Sequence, residues 1–232
     1  SLYAVADLVG LVQQNPESLF CTLTVRDEVA FGLENLRVAP EEIEARIDWA
    51  LSMVGAAELI DRELVTLSGG EQQKVAIAAV MALRPRILIL DEPTSNLDPT
   101  ATSSIFEAVD AIRERAGLTI IVIEHKLEDL RRFQPRLISL AEGRITYDGP
   151  LAATDRSLAG ALDRRPEGPV SVAADADIVA RTRSLTVRYD DREVLTGLDL
   201  DVRAGELISV MGDNGSGKTT LLHALMGLRK PD

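Results

Sequence analysis

One segment of the sequence, residues 67–99, constrains the fold more strongly than any other. It contains a continuous aliphatic run at residues 87–90, which is typical of a strand buried on both faces of a parallel sheet. Two carboxylates, Asp91 and Glu92, follow the run directly. Open α/β sheets bind their ligands at the carboxyl ends of parallel strands. The segment therefore predicts an α/β fold with a functional site beside these carboxylates.

The same segment begins with Ser68-Gly69-Gly70, ahead of a predicted helix at residues 71–83. The hydroxyl of Ser68 can cap the helix, and the two glycines let a ligand approach the backbone closely. The first amide groups of a helix have no partner within the helix and favour a bound phosphate. The segment thus also predicts an anion site.

A second phosphate-binding signature lies near the end of the sequence, at residues 212–220. Its sequence GDNGSGKTT matches the pattern GxxxxGK[ST], and it lies between a predicted strand at 206–211 and a predicted helix, as a phosphate loop requires. Lys218 is expected to neutralise phosphate oxygens, and Thr219 to bind Mg²⁺. The predicted nucleotide-binding residues of this loop are Gly212, Asn214, Gly215, Ser216, Gly217, Lys218, Thr219 and Thr220.

The motifs together resemble those of ATP-binding cassette (ABC) ATPases. The shared patterns are LSGGEQ at 67–72, ILILDEP at 87–93, SNLD at 95–98 and the glutamine loop VGLVQQNP at 9–16, in which Gln13 replaces the usual aromatic residue. The resemblance implies ATP and Mg²⁺ as ligands. It also implies an α/β P-loop NTPase fold with a mostly parallel sheet, an antiparallel β subdomain and an α-helical subdomain.

The resemblance implies a role for each matching residue. Asp91 would hold the metal through water, and Glu92 would orient or deprotonate the attacking water. Gln14 would sense the metal and couple to a transmembrane partner, His125 would contact the γ-phosphate, and Tyr189 would stack on adenine. Ser68, Gly69 and Gly70 would cap the γ-phosphate of an ATP held by a second cassette, which makes that cassette an expected partner.

The order of the motifs differs from that of the family, in which the phosphate loop comes first. Residues 1–151 resemble the C-terminal half of a cassette, residues 152–177 a linker, and residues 178–232 the N-terminal half, including two antiparallel strands. Two arrangements explain this order: the middle of a tandem two-cassette protein, similar to cobalt-type and energy-coupling-factor importers, or one circularly permuted cassette. The permuted arrangement predicts Lys218 beside Asp91, with Ser68 far from both.

Composition narrows the class of partner. The net charge of −12 argues against a nucleic-acid surface, and the longest apolar run, at residues 75–83, is too short to span a bilayer. The lone cysteine, Cys21, is expected to be a small buried hydrophobe in a reducing compartment. The chain starts at Ser1 with no signal-peptide pattern, which favours a processed, truncated or engineered chain.

Three functions are compatible with these observations. The first is the ATPase of an importer, cytoplasmic and peripheral on the inner face of the membrane, with a transmembrane transport subunit as partner. The second is a soluble cassette that acts on ribosomes or DNA, which predicts basic arms or paired cysteines that the sequence lacks. The third is a catalytically silent fragment of a tandem ATPase.

Overall fold

The computed structural model describes residues 8–18, 20–124, 129–151, 176–189, 192–213 and 215–228. The strands are β1 Val9–Val12, β2 Ile87–Asp91, β3 Thr119–Ile123, β4 Arg136–Ala141, β5 Arg144–Pro150, β6 Ile178–Tyr189, β7 Arg192–Arg203 and β8 Leu207–Met211. The α-helices are α1 Val25–Asn35, α2 Pro40–Met53, α3 Gly69–Ala82, α4 Pro99–Ala116 and α5 Lys218–Leu225. Short 3₁₀ turns lie at Pro16–Ser18, Ala57–Leu59, Leu64–Thr66 and Arg131–Phe133.

Six strands form the main sheet in the order β1-β2-β3-β8-β4-β5. All neighbours are parallel except β4 and β5, which form an antiparallel hairpin. Strand β8 comes from the last part of the chain and lies between two strands from the first part, pairing Ile208 with Ile121 and with Arg136. The two phosphate-site segments of the sequence therefore contribute to one sheet.

The central strands are buried on both faces, as their unbroken apolar runs predict. In β2, Leu88 and Leu90 pack into the core shared with α1 to α4, whereas Ile87 and Ile89 pack into the core shared with α5 and the antiparallel strands. This alternation follows from the two-residue period of a strand. The sheet is thus the middle layer between a helical side and a second, antiparallel side.

The helical side begins at capping residues that the sequence identifies. The Thr24 side chain accepts a hydrogen bond from the Asp27 amide, and Ser68 forms a full capping box with Glu71. Helix α2 packs on α3 and buries Ile47 completely. Trp49 lies partly buried against the same core.

The antiparallel side consists of β6 and β7, which form a separate two-stranded sheet. Arg136 of β4 ties this sheet to the main one. Its guanidinium donates to the carboxylate of Asp148 at 2.6 and 2.8 Å, to the carbonyl of Asp201 at 2.7 Å and to Glu206 at 3.2 Å. Glu206 is almost completely buried, so this contact is an ion pair largely removed from water.

The expectation for Cys21 is wrong, and the expected linker lies mostly outside the described residues. Cys21 is exposed rather than buried, because it lies in the loop before α1, where its amide, not its thiol, is anchored by the Glu28 carboxylate at 3.0 Å. Most of the predicted linker, residues 152–175, lies outside the described residues. None of the helices in the described part of the chain combines the length and hydropathy that crossing a bilayer requires.

Candidate functional site

The phosphate-loop sequence connects β8 to α5, as its pattern predicts. At Gly212 the backbone has a φ of +152°, and a Cβ there would lie 2.1 Å from the Leu140 carbonyl oxygen. Gly217, the residue before α5, has a φ of +103°. A side chain at Gly212 would collide with backbone, so only glycine allows the chain to turn this closely over the end of the sheet.

Lys218 lies folded over this loop. Its ammonium group donates to the carbonyl of Gly212 at 2.7 Å and to that of Asp213 at 3.1 Å, and the residue is buried. The hydroxyl of Ser216 is buried and has no hydrogen-bond partner among the described residues. A cation, an unsatisfied hydroxyl and the start of a helix thus lie on one short loop, which is a suitable set of groups for binding phosphate.

The two carboxylates lie at the end of β2, at the carboxyl edge of the sheet. Asp91 is the last residue of the strand, and Glu92 follows with a φ of +47°. The side-chain amide of Gln14 donates to the Glu92 carboxylate at 3.0 Å across 78 residues of sequence. The glutamine loop and the carboxylate pair, recognised separately in the sequence, are therefore in direct contact.

A cleft of about 350 Å³ lies between Asp91 and Gln14 on one side and Thr219, at the end of the phosphate loop, on the other. Its lining residues are Leu11, Gln13, Gln14, Asn15, Asp91, Thr219, Leu222 and His223. Thr219 and Asp91, predicted as metal-binding residues from segments far apart in the sequence, thus line one cavity. Ser68 is not among the described residues that line it.

The chemistry of the cleft fits a magnesium ion. Asp91 supplies a carboxylate, Thr219 a hydroxyl and Gln14 an amide oxygen, and Mg²⁺ prefers such oxygen donors while keeping several waters and phosphate oxygens as further ligands. Within the described ranges, no cluster of three or more His, Cys, Asp and Glu side chains could hold a metal by itself. The site therefore fits a metal bound together with a nucleotide.

His223 and Leu222 are cleft residues that the sequence interpretation missed. The available signal was helical spacing: His223 follows Thr219 by four residues on α5, which puts both on one helix face. A lone histidine past the end of a phosphate-loop motif gave no reason to assign it to the site.

Two residues of the LSGGEQ segment line a second cleft, of about 540 Å³. Gly69 and Gln72 line it together with Gln14 and Leu97. The Glu71 carboxylate lies at the start of α3, where it accepts hydrogen bonds from the hydroxyl and the main-chain amide of Ser68, both at 2.7 Å. These hydrogen bonds lower the pKa of Glu71 below its ordinary value.

The other predicted site residues have varied surroundings. Gly70 is close to α4, where a Cβ would lie 3.0 Å from Cβ of Ala101, whereas Gly215 has a φ of +84° and open space around it. Thr220 is buried, and Tyr189 is 41% exposed at the end of β6. His125 and Asn214 lie outside the described residues.

Comparison with known proteins identifies relatives along both parts of the chain. The family model described as ABC transporter matches residues 3–95 and 195–232. A protein of Streptomyces avermitilis named as an ABC transporter ATP-binding protein is 34% identical over 98% of this chain and 51% of its own length. A protein of Methanosarcina mazei with the same description is 36% identical over 96% of this chain and 45% of its own.

The chain therefore spans about half the length of the curated relatives it matches. Among solved structures, cbiO1 from Clostridium perfringens, part of the ABC transporter complex cbiONQ, is 34% identical to this chain. The match covers 62% of this chain and 57% of that one, with a TM-score of 0.59. The likeness thus extends from sequence to fold.

Proposed function

Because the chain belongs to the ABC transporter family, we propose that it binds and hydrolyses ATP and that it supplies the energy of an importer through a transmembrane partner. The observation that carries this proposal is the cleft in which Thr219 of the phosphate loop, Asp91 and Gln14 lie together. These groups belong to three segments of the chain, and their meeting gives one cavity with the donors that a Mg²⁺-nucleotide requires.

We further propose that residues 1–151 and 178–232 form one permuted cassette, joined by the linker 152–177. The pairing of β8 with β3 on one side and β4 on the other supports this arrangement. So does the packing of Leu221, from the helix after the phosphate loop, in the same core as Ile121. The full-length relatives, about twice as long, would then contain further cassette segments.

In the proposed reaction, the loop from Gly212 to Thr219 holds the phosphates and Lys218 neutralises their charge. Bound Mg²⁺ would be held by Thr219 and, through water, by Asp91, and it would supply charge neutralisation at the β- and γ-phosphates. Glu92 would orient or deprotonate the attacking water. The Glu92 carboxylate accepts a hydrogen bond from the Gln14 side-chain amide, which places the proposed catalytic carboxylate in direct contact with the glutamine loop.

A second cassette is part of this proposal. The glycines of Ser68-Gly69-Gly70 lie at the start of α3, and Gly69 lines a cleft that shares Gln14 and Asn15, but neither Thr219 nor Asp91, with the first cleft. We infer that they act on a nucleotide held by another copy. Turnover per molecule should then rise with protein concentration, whereas nucleotide binding to the phosphate loop should not.

The membrane partner is expected to dock near the glutamine loop, on the inner face of the membrane. A mainly apolar groove of about 190 Å³ begins at Leu11 and Val12, just before Gln14, and continues between α1 and α3. Phe31 is 42% exposed at this groove, and large apolar side chains exposed at a groove are typical of a protein interface. The link of cbiO1 to a multi-subunit transporter complex supports the same partner.

The experiment that tests the function is Glu92→Gln, with Glu58→Gln as its control. Glu58 lies in a 3₁₀ turn and is exposed, far from the sheet edge in sequence. We expect Glu92→Gln to abolish phosphate release while keeping ATP affinity, because the carboxylate acts on water and not on the nucleotide. Titration with a fluorescent ATP analogue measures binding, and a phosphate-release assay measures turnover. A Glu92→Gln chain with wild-type turnover would remove Glu92 from this role.

A further inference from the structure

We propose that the two-residue turn between β4 and β5 positions the phosphate loop, with Gly143 as the positioning residue. This inference rests on the proposed nucleotide-binding function and adds to it an element that touches no nucleotide. Ala141 pairs directly with Arg144, so Glu142 and Gly143 form the whole turn. Their φ values of +49° and +73° are those of a type I′ hairpin, which requires positive φ at both central residues.

The turn is hydrogen-bonded to the phosphate loop on one side and to β7 on the other. The Gly143 amide donates to the Ser216 carbonyl at 3.2 Å, and the Gly143 carbonyl accepts from the Thr196 amide at 3.0 Å. Ser216 is the residue whose hydroxyl is buried without a partner, two positions before Lys218. The main chain of one glycine thus links the phosphate loop to the antiparallel sheet.

Steric contact makes this link rigid. A Cβ at Gly143 would lie 2.1 Å from the Val194 carbonyl oxygen and 2.8 Å from the Val194 carbonyl carbon. A Cβ at Gly217 would meet the same oxygen at 3.1 Å, and one at Gly212 would meet the Leu140 carbonyl oxygen at 2.1 Å. The phosphate loop therefore lies against main chain at Gly212, whereas at Gly217 the atom nearest to a Cβ would be Cδ2 of Leu195, at 2.7 Å, ahead of the Val194 carbonyl oxygen.

The consequence for binding follows from the glycine content of the loop. Glycine-rich backbone has many accessible conformations, and a ligand that must order it loses affinity. A rigid neighbour that fixes the loop beforehand removes that cost. Placing a methyl group at position 143 would force the turn or β7 to move by about 1 Å to restore normal contact distances. The loop amides would then lose their alignment toward the phosphates.

The test compares Gly143→Ala with Gly117→Ala. Gly117 ends α4 with a φ of +63°, yet nothing lies within 4 Å of a Cβ there, so the control has the same backbone strain without the contact. We expect Gly143→Ala to weaken ADP and inorganic pyrophosphate binding alike, by about tenfold or more, which is the effect of weakening one charge-assisted hydrogen bond. Gly117→Ala should stay within about twofold of wild type, even if both variants melt at a lower temperature.

A second measurement uses only the wild-type chain and does not depend on a variant that folds. Amide hydrogen exchange with and without ADP should show protection of residue 143 together with residues 215–218. Protection of the loop alone would overturn the inference, as would a folded Gly143→Ala chain with wild-type affinity for both ligands. A wild-type chain that binds no ADP would instead overturn the proposed function, and with it the inference.

Discussion

Arg136→Leu is the substitution that best tests how the fold is held together. The Arg136 guanidinium contacts three parts of the chain: Asp148 on β5, the main chain of Asp201 on β7, and Glu206 just before β8. The side chain of Arg136 is only 13% exposed, and that of Glu206 is 2% exposed. The hydrogen bonds that Arg136 donates to the Asp148 carboxylate are the main cause that raises the pKa of Arg136, so the cation is held firmly in its charged form.

The expected cost follows from what the substitution leaves behind. Removing one partner of a buried ion pair typically destabilises a protein by about 3–5 kcal/mol, because a buried charge is left uncompensated. Asp148 is 35% exposed and can turn to water, and Glu206 keeps a 2.7 Å hydrogen bond from the Arg203 amide. These contacts favour the lower end, about 3 kcal/mol. For a chain of this length that corresponds to a fall in melting temperature of roughly 6–12 °C.

Urea unfolding followed by circular dichroism measures this loss, with an unchanged m-value as the check that both chains unfold alike. Arg188→Leu is the matched control, because Arg188 is 54% exposed and meets Glu193 at 3.4 Å. An exposed pair of this kind should change the stability by less than about 1 kcal/mol. The double variant Arg136→Leu/Glu206→Leu should recover part of the loss, since the buried Glu206 carboxylate is then removed together with its cationic partner. Equal losses for Arg136→Leu and Arg188→Leu would refute the reasoning.

Three further substitutions test single contacts. Lys218→Ala should weaken ATP binding by about 10- to 100-fold, the worth of a charged hydrogen bond. The control Lys74→Ala should not, because the partly buried Lys74 donates to the Gly55 carbonyl and lines neither cleft. Equal affinities of the two variants in a nucleotide titration would contradict the phosphate-loop assignment. Ser68→Ala should cost about 1 kcal/mol of stability at pH 7, because it removes a helix cap. The Ser68 hydroxyl also lowers the pKa of Glu71, so the ionised Glu71 carboxylate adds to the stability of the wild-type fold. This contribution is complete above the ordinary pKa of 4.5 and is lost as the pH falls below it. The unfolding curves of wild type and Ser68→Ala should therefore converge in acid. Asp98→Ala should also lower the free energy of unfolding by about 1 kcal/mol, because the Asp98 carboxylate accepts hydrogen bonds from two amides at the start of α4. A loss below about 0.3 kcal/mol in urea unfolding, roughly a third of the usual contribution of a helix cap, would contradict this.

Local features of the fold could be predicted because their causes are local. The aliphatic run at 87–90 has no polar residue to place on a solvent face, so only burial on both faces satisfies it. The two capping pairs each lie within four consecutive residues: Ser68 with Glu71, and Thr24 with Asp27. Helix α4 likewise begins where its local sequence allows, at Pro99, because Asp98 is its cap and proline fits the first turn.

The prediction for Cys21 failed because it used residue type alone. Cysteine is on average a buried residue, but the loop before α1 is held by hydrogen bonds from main-chain amides to Glu28, and these need no buried thiol. The hydroxyl of Thr22 also donates to that carboxylate, at 2.9 Å. The interior of this loop is thus filled by a carboxylate that gains three hydrogen bonds, and Cys21 is left at the surface.

The contacts within the site could be predicted only in part. Motifs gave Asp91, Thr219 and Gln14 separately, but the hydrogen bond from Gln14 to Glu92 depends on β1 lying beside β2. The contact of Gly143 with Ser216 depends in addition on β4 lying beside β8. Such contacts follow from strand order, and a single sequence does not give the order of parallel strands.

Strand β8 is the element on which the site depends most. β3 and β4 are successive strands of the chain, yet they are separated in the sheet by β8. Without β8, both would carry unpaired amide and carbonyl groups along a buried edge, and the core facing α5 would lose Ile208 and Val210. The same strand carries the phosphate loop to the edge where Asp91 ends β2. Formation of the sheet and assembly of the cleft are therefore one event, so a change that detaches β8 should abolish nucleotide binding and cooperative unfolding together.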